Sequence, residues 1–257
     1  MKRIVVTSLA ALTLLTTLVF EWACRPADNQ STELTVAAAA DLTNAFEELG
    51  REFQATHKIK VTFVFGSTGL LTRQIENGAP VDLFAAANVD YINQLEQKGL
   101  ILPGTKAIYA RGRITLWTTA DSPLKVEKVT DLTRPEVKRI AIANPDHAPY
   151  GLAAQQALQS AGVWETVKPK LVYGDNIRQT LQYAETGNVD VALVALSLSQ
   201  QSKGHWVLVP EQLHQPIDQA LAVIKTTRNE AAARAFASFV SGPKGKEILQ
   251  KYGFAFP

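Results

Sequence analysis

Apolar positions along this chain switch repeatedly between two spacings. Short β-rich runs fall at residues 34–39, 60–65, 83–86, 113–119, 139–143, 171–173, 189–196 and 220–225. Between them the apolar residues move to helical spacing. Residues 42–58 carry Ala45, Leu49 and Phe53 four apart with Phe46 beside them, the pattern of an amphipathic helix. Residues 70–77, 89–98, 151–161 and 177–186 read as further helices, each followed by a glycine: Gly78, Gly99, Gly162 and Gly187. Two helices, 230–240 and 244–251, close the chain on either side of Ser241-Gly242-Pro243. Strand–helix alternation predicts an α/β fold with parallel sheets covered on both faces. The length suits two lobes of roughly 110–130 residues. We place one at 34–115 plus 216–257 and the other at 116–215, with changeovers near 114–118 and 208–218. No internal repeat is visible.

The N-terminus has a different pattern. Lys2 and Arg3 precede an apolar run at 4–20 broken only by Ser and Thr, and Ala23 stands just before Cys24. This is the layout of a bacterial export signal over residues 1–24. The run is at the lower limit for a membrane span, and no second one follows. Cys24 is a lipidation candidate, although Glu21 stands where such signals usually place Leu, beside the bulky Trp22. Residues 25–33 are polar and read as a linker. The expected location is the periplasm or the cell surface, with a lipid anchor at Cys24 as the one contact with a membrane.

Composition narrows the chemistry. With 19% charged residues and a formal net charge of +2, the chain is neither a disordered polyelectrolyte nor the strongly basic surface of a nucleic-acid binder. Removing Lys2, Arg3 and Glu21 with the signal leaves +1. Cys24 is the single cysteine, so the folded part has no thiol for disulfides, CxxC redox chemistry or zinc. His57, His147, His205 and His214 are not at metal-ligand spacing from one another. There is no GxSxG elbow and no dinucleotide fingerprint, and Gly242-Pro243-Lys244-Gly245-Lys246 lacks P-loop spacing. No cofactor and no catalytic residue are expected.

Four predicted strand-to-helix junctions do share a chemistry. They are Ala37-Ala38-Ala39-Ala40-Asp41, Gly66-Ser67-Thr68-Gly69, Ala148-Pro149-Tyr150-Gly151 after Asn144-Pro145, and Gly174-Asp175-Asn176-Ile177. Open α/β sheets bind ligands outside the carboxyl ends of their strands. Helix N-termini there offer free N–H groups and a positive dipole end. Small residues let a ligand approach the backbone, and Ser67 and Thr68 add hydroxyl donors. Taken singly, each junction is more simply a helix cap. Gly66-Ser67-Thr68-Gly69 stands out because two glycines bracket two hydroxyls, as in an anion nest.

In the order and spacing of these segments the chain resembles the molybdate-binding proteins of bacterial ABC importers. The resemblance covers nearly all of residues 34–257. It runs through Ala38-Ala39-Ala40-Asp41-Leu42-Thr43-Asn44-Ala45, Gly66-Ser67-Thr68-Gly69 with Arg73-Gln74-Ile75, and Gly78-Ala79-Pro80-Val81-Asp82-Leu83-Phe84. It continues in Asn144-Pro145, Ala148-Pro149-Tyr150-Gly151 and Tyr252-Gly253-Phe254. It implies a bilobal type II periplasmic-binding fold with two crossovers and a tetrahedral oxyanion, molybdate or tungstate, in the cleft. Carried over by position, Ala40, Asp41, Ser67, Thr68, Tyr150 and Ile177 would hold the oxyanion. The metal would be seen only through its oxygens. Thr68 matches a ligand-binding serine, and Ile177 would act through its backbone N–H. The implied partner is an ABC permease in the inner membrane, and a monomer is expected.

Two departures stand out. Some members place a binding tyrosine where this chain has Ala195, a hydroxyl that Tyr150 would replace. Asp41 stands where serine or asparagine is common. A carboxylate ~5 Å from a dianion costs roughly 6–7 kcal/mol at an effective dielectric near 20, most of the ~8 kcal/mol of a micromolar complex. Asp41 therefore either turns away to cap its helix at Thr43 or Asn44, the reading preferred on sequence, or the ligand carries a proton. Phosphate, partly protonated at neutral pH, would welcome such an acceptor, and sulfate would not. An exported phosphatase-like hydrolase is the remaining alternative, but Ser67 has no histidine near it in sequence. The sensory lobe of a regulator lacks a DNA-binding segment and conflicts with the signal.

Overall fold

The computed structural model describes residues 33–257. The export signal at 1–24, Cys24 and all but the last residue of the linker lie outside the described residues. Along the chain, β1 (Glu33–Ala39) leads through a 3-10 turn (Ala40–Leu42) into α1 (Thr43–His57), and β2 (Lys60–Gly66) into α2 (Thr68–Glu76). Next come β3 (Leu83–Ala86), α3 (Val89–Gln97) and β4 (Ala107–Gly112). The chain then passes through Arg113 into β5 (Ile114–Thr119), followed by β6 (Ile140–Ala143), α4 (Pro149–Ser160), α5 (Trp164–Val167) and β7 (Leu171–Gly174). After α6 (Ile177–Glu185), β8 (Val191–Ala195), α7 (Leu196–Ser199) and β9 (Gly204–Leu208), it returns as β10 (Ile217–Val223) and ends in α8 (Glu230–Ser241) and α9 (Pro243–Lys251).

Two five-stranded sheets result, in the orders β2-β1-β3-β10-β4 and β7-β6-β8-β5-β9, each the centre of one lobe. The expectation of purely parallel sheets needs correction, because each is mixed. β10 runs antiparallel to β3 and β4, and β5 runs antiparallel to β8 and β9. The reason is the crossovers. β1, β2, β3, β6, β7 and β8 end at the face where the lobes meet. A strand that has just arrived from the other lobe starts at that face and must run the opposite way. The first changeover falls at Arg113, so Ile114 and Thr115 belong to the second sheet. Arg111 and Asp218 face each other on the paired crossover strands and form a two-pronged ion pair of 2.6 and 3.1 Å.

The apolar pattern accounts for the packing. Phe46 and Phe53 of α1 are fully buried and meet Phe236 of α8 at ring separations of 6.2 and 5.1 Å, edge to face. Each such ring contributes about 1.5–3 kcal/mol by burial. β6 and β8 are buried throughout, as strands covered on both faces should be. α4 opens with Pro149 at its first turn, where a missing N–H costs nothing. α6 is capped by Asn176, whose side-chain oxygen accepts from the N–H groups of Arg178 and Gln179 at 3.0 Å. It ends at Gly187, whose φ of 70° is the left-handed conformation that favours glycine. Among the described residues no helix is long and apolar enough to cross a membrane.

Candidate functional site

The ends of β1, β2, β3 and the first turns of α2, α4 and α6 line one small cavity. Its walls are Ala39, Ala40, Asp41, Gly66, Ser67, Thr68, Ala87, Ala148, Pro149, Tyr150 and Ile177. All six residues picked from the sequence are among them, and all four junctions contribute. β1, β2, β3 and α2 belong to one lobe, and α4 and α6 to the other.

The donors are arranged on both sides. Thr68 opens α2, and its Oγ1 accepts the backbone N–H of Ala87 at 3.1 Å, which leaves its own O–H proton free to point elsewhere. The amides of Thr68, Tyr150 and Ile177 lie in the first turns of their helices, so they have no partner within those helices. Ser67 behaves differently from the expectation of a ligand-facing hydroxyl. It donates to the backbone carbonyl of His147 at 2.6 Å and lies 2.9 Å from that ring's Nδ1. The N–H of Gly69 also donates to the His147 carbonyl, at 2.9 Å. So Gly66-Ser67-Thr68-Gly69 is less an open nest than a latch: two of its donors grip the loop before α4, and Thr68 remains for the cavity. Burial, together with the charge of Arg73, holds His147 below the ordinary histidine range.

Asp41 does not cap a helix. Neither the 3-10 turn nor α1 has a side-chain cap, so that expectation is corrected. Instead its carboxylate enters a buried network of polar groups. Gln219 of β10 donates from Nε2 to Asp41 Oδ2 at 2.5 Å and to the Tyr150 hydroxyl at 3.0 Å. The Tyr150 hydroxyl donates to the same Oδ2 at 3.0 Å. Tyr109 of β4 donates to Gln219 Oε1 at 2.9 Å, which fixes the amide's orientation. Asp41 is 1% exposed, and its Oδ1 is buried with no hydrogen-bond partner. Burial pushes its pKa up to about 6, against the pull of the bonds from Gln219 and Tyr150. Tyr150 and Tyr109 are raised well above the ordinary tyrosine range, by burial first and by the Asp41 charge second, so both remain donors.

Sequence reasoning missed four participants. Gln219 was the legible one: an amide directly before the apolar stretch 220–223 of β10, fully buried. Tyr109 sits on β4, which was not foreseen. Ala87 contributes only its N–H. His147 is 80 residues from Ser67 in sequence and meets it only across the lobes. Among the described residues no group of three or more His, Cys, Asp or Glu is placed to hold a metal ion. What the cavity offers is a ring of amides and one hydroxyl converging from two lobes, with Asp41 as the sole ionisable carboxylate in its wall and no Lys or Arg. Such an arrangement can hold an oxyanion by dipoles and hydrogen bonds.

Two α/β lobes joined by two crossovers, with a small polar cavity between strand ends, define a solute-binding protein of the type II periplasmic kind. The description "bacterial extracellular solute-binding protein" is that of the family model matching residues 34–255. Within that class the chain belongs to the molybdate-binding protein (ModA) family. It is 36% identical to the molybdate-binding protein ModA of Rhodobacter capsulatus over 86% of this chain and 88% of that protein. It is 31% identical to YvgL of Bacillus subtilis, named as an ABC transporter substrate-binding lipoprotein, over 86% of this chain and 85% of that one. The fold is similar to that of the periplasmic molybdate-binding protein of Azotobacter vinelandii, with a TM-score of 0.83 at 29% identity, covering 87% of this chain and 99% of that one.

Proposed function

We propose that this protein captures molybdate or tungstate outside the cytoplasm and delivers it to the permease of an ABC importer, without catalysis and without a cofactor. The observation that carries this is the convergence of four strand-to-helix junctions, two from each lobe, on one cavity with no cationic side chain in its wall. A tetrahedral dianion would take the Thr68 hydroxyl and the first-turn amides of Thr68, Tyr150 and Ile177, with Ala40 and the Ala87 turn closing around it. Ser67 would lock the lobes rather than touch the ligand. The lobes 34–115 with 216–257, and 116–215, with Ile114 and Thr115 taken by the second sheet, are those we propose to close on the anion, creating the surface that a permease reads. The lipoprotein name of YvgL supports a lipid anchor at Cys24 here. The protein would act as a monomer.

Saturation with molybdate at a hundredfold excess over Kd should stabilise the protein by about 2.7 kcal/mol. Differential scanning calorimetry with molybdate, tungstate, phosphate and sulfate reads this directly. A shift with phosphate alone would replace the reading with a phosphate binder. The two hydroxyls should separate. Thr68→Ala loses a bond to a charged ligand and should cost about 1.5–3 kcal/mol of binding, whereas Ser67→Ala loses a neutral bond between lobes and should cost about 0.5–1.5 kcal/mol. Equal losses in a titration would place both hydroxyls on the anion.

The hydrolase reading gains one observation, the 2.9 Å contact between Ser67 Oγ and His147 Nδ1. It lacks the rest of a nucleophile's surroundings. The Ser67 proton is directed at a backbone carbonyl, and no carboxylate bonds the far side of the His147 ring among the described residues. Turnover of p-nitrophenyl phosphate abolished by Ser67→Ala would favour it.

A further inference from the structure

The inference rests on the oxyanion reading and concerns what accompanies the anion. The two oxygens of Asp41 are treated unequally. Oδ2 receives two donors, from Gln219 and Tyr150, while Oδ1 is buried with none. Tyr109 holds the Gln219 amide so that its NH2 end, and not its carbonyl, meets Asp41. The network therefore makes Oδ2 a fixed acceptor and leaves Oδ1 as the one position where a proton fits. Asp41 is also in the cavity wall, so an ionised carboxylate there would stand beside a dianion with one oxygen left without a donor.

We propose that the cavity takes up its dianion together with one proton, carried on Asp41 Oδ1, which then donates to a ligand oxygen. The proton comes from solvent, and the only bond formed is its O–H bond to the carboxylate. Asp41 thus changes from a repelling charge to a donor at the step of binding.

The surroundings are consistent with this. The titratable groups facing Asp41 are Tyr150 from α4 and, through Gln219 of β10, Tyr109 from β4, and both stay neutral. α7 presents the Ser197 hydroxyl, which donates to the Asp41 backbone carbonyl at 2.7 Å, and α6 presents Ile177. No lysine, arginine or histidine and no second carboxylate contributes to the carboxyl's titration, which is already displaced to about 6 by burial. His147 lies behind Ser67, outside the cavity wall.

The test is calorimetric titration of sodium molybdate into the wild-type chain in buffers of different ionisation enthalpy, at about pH 7.5. The slope against buffer enthalpy should give one proton taken up per anion bound. Affinity should fall about tenfold per unit above roughly pH 6.5 and level off below about pH 5.5. In Asp41→Asn the amide oxygen takes the place of Oδ2 and the NH2 that of the protonated Oδ1. That variant should bind with no proton uptake and a flat pH profile. Wild-type binding that is tight but independent of pH, with no uptake, would overturn the proposal and leave the oxyanion reading standing. Proton uptake that survives in Asp41→Asn would also overturn it, by placing the proton elsewhere. No binding of molybdate by either protein at any pH would overturn the oxyanion reading itself.

Discussion

Gly69→Val should lower oxyanion affinity by roughly ten- to a thousandfold while leaving each lobe folded. A β-carbon at residue 69 would lie 2.8 Å from the backbone oxygen of His147 and 3.0 Å from its Cα and Cβ. These are mostly backbone atoms of the opposite lobe, so no flexible side-chain end can swing aside. The same glycine donates its N–H to that oxygen. Overpacking costs about 1–3 kcal/mol and the lost hydrogen bond about 0.5–1.5 kcal/mol. The sum falls on lobe closure, since nothing within the first lobe touches this position so closely. Gly69→Ala should show a smaller loss of the same kind. Wild-type affinity in Gly69→Val would mean that the grip of α2 on the His147 loop is not part of the bound state.

The second large effect is on stability. Asp41 has a pKa of about 6 in the folded chain against an ordinary value of 3.8. The folded state thus holds this proton more tightly than the unfolded one. Its contribution is fully present below about pH 4 and is lost as pH rises through about 6. At about 1.4 kcal/mol per unit, the loss by pH 7 is roughly 3 kcal/mol. Asparagine does not titrate and keeps an acceptor for Gln219 and Tyr150. Asp41→Asn without ligand should therefore be more stable than wild type at pH 7 by up to about 3 kcal/mol, and nearly equal to it at pH 4. Urea denaturation at the two pH values measures the difference between the proteins, which cancels every other titrating group. Equal stability at pH 7 would mean that the buried carboxylate is better compensated than its orphaned Oδ1 implies.

These two residues also mark where the sequence was legible and where it was not. The helices could be placed from apolar spacing and terminal glycines because those signals are local, and α6 ends at Gly187 as expected. Strand direction was not local. It depends on which lobe the chain has just left, so β5 and β10 were expected among parallel strands although both run against their neighbours. β4 and β9 were missed because they are edge strands with mixed burial, and their pattern is weaker than that of β6 or β8. At the site, the six residues read from the junctions do come to one cavity. What they do there was only half visible. Ser67 looks like Thr68 in sequence, yet it turns to His147 while Thr68 faces the cavity. Asp41 looks like a helix cap, yet its partners are 109 and 178 residues away. Pairings of that range leave no spacing to read, apart from an amide such as Gln219 at the head of an apolar stretch.

The central claim is that the cavity between the lobes holds one tetrahedral molybdate or tungstate. The most direct measurement is elemental analysis of the protein purified from medium containing both anions together with phosphate and sulfate, after exhaustive dialysis. The expected result is molybdenum plus tungsten summing to about one atom per chain, lost in a variant that combines Thr68→Ala with Gly69→Val. Protein that retains neither metal but carries phosphate or sulfate would contradict it.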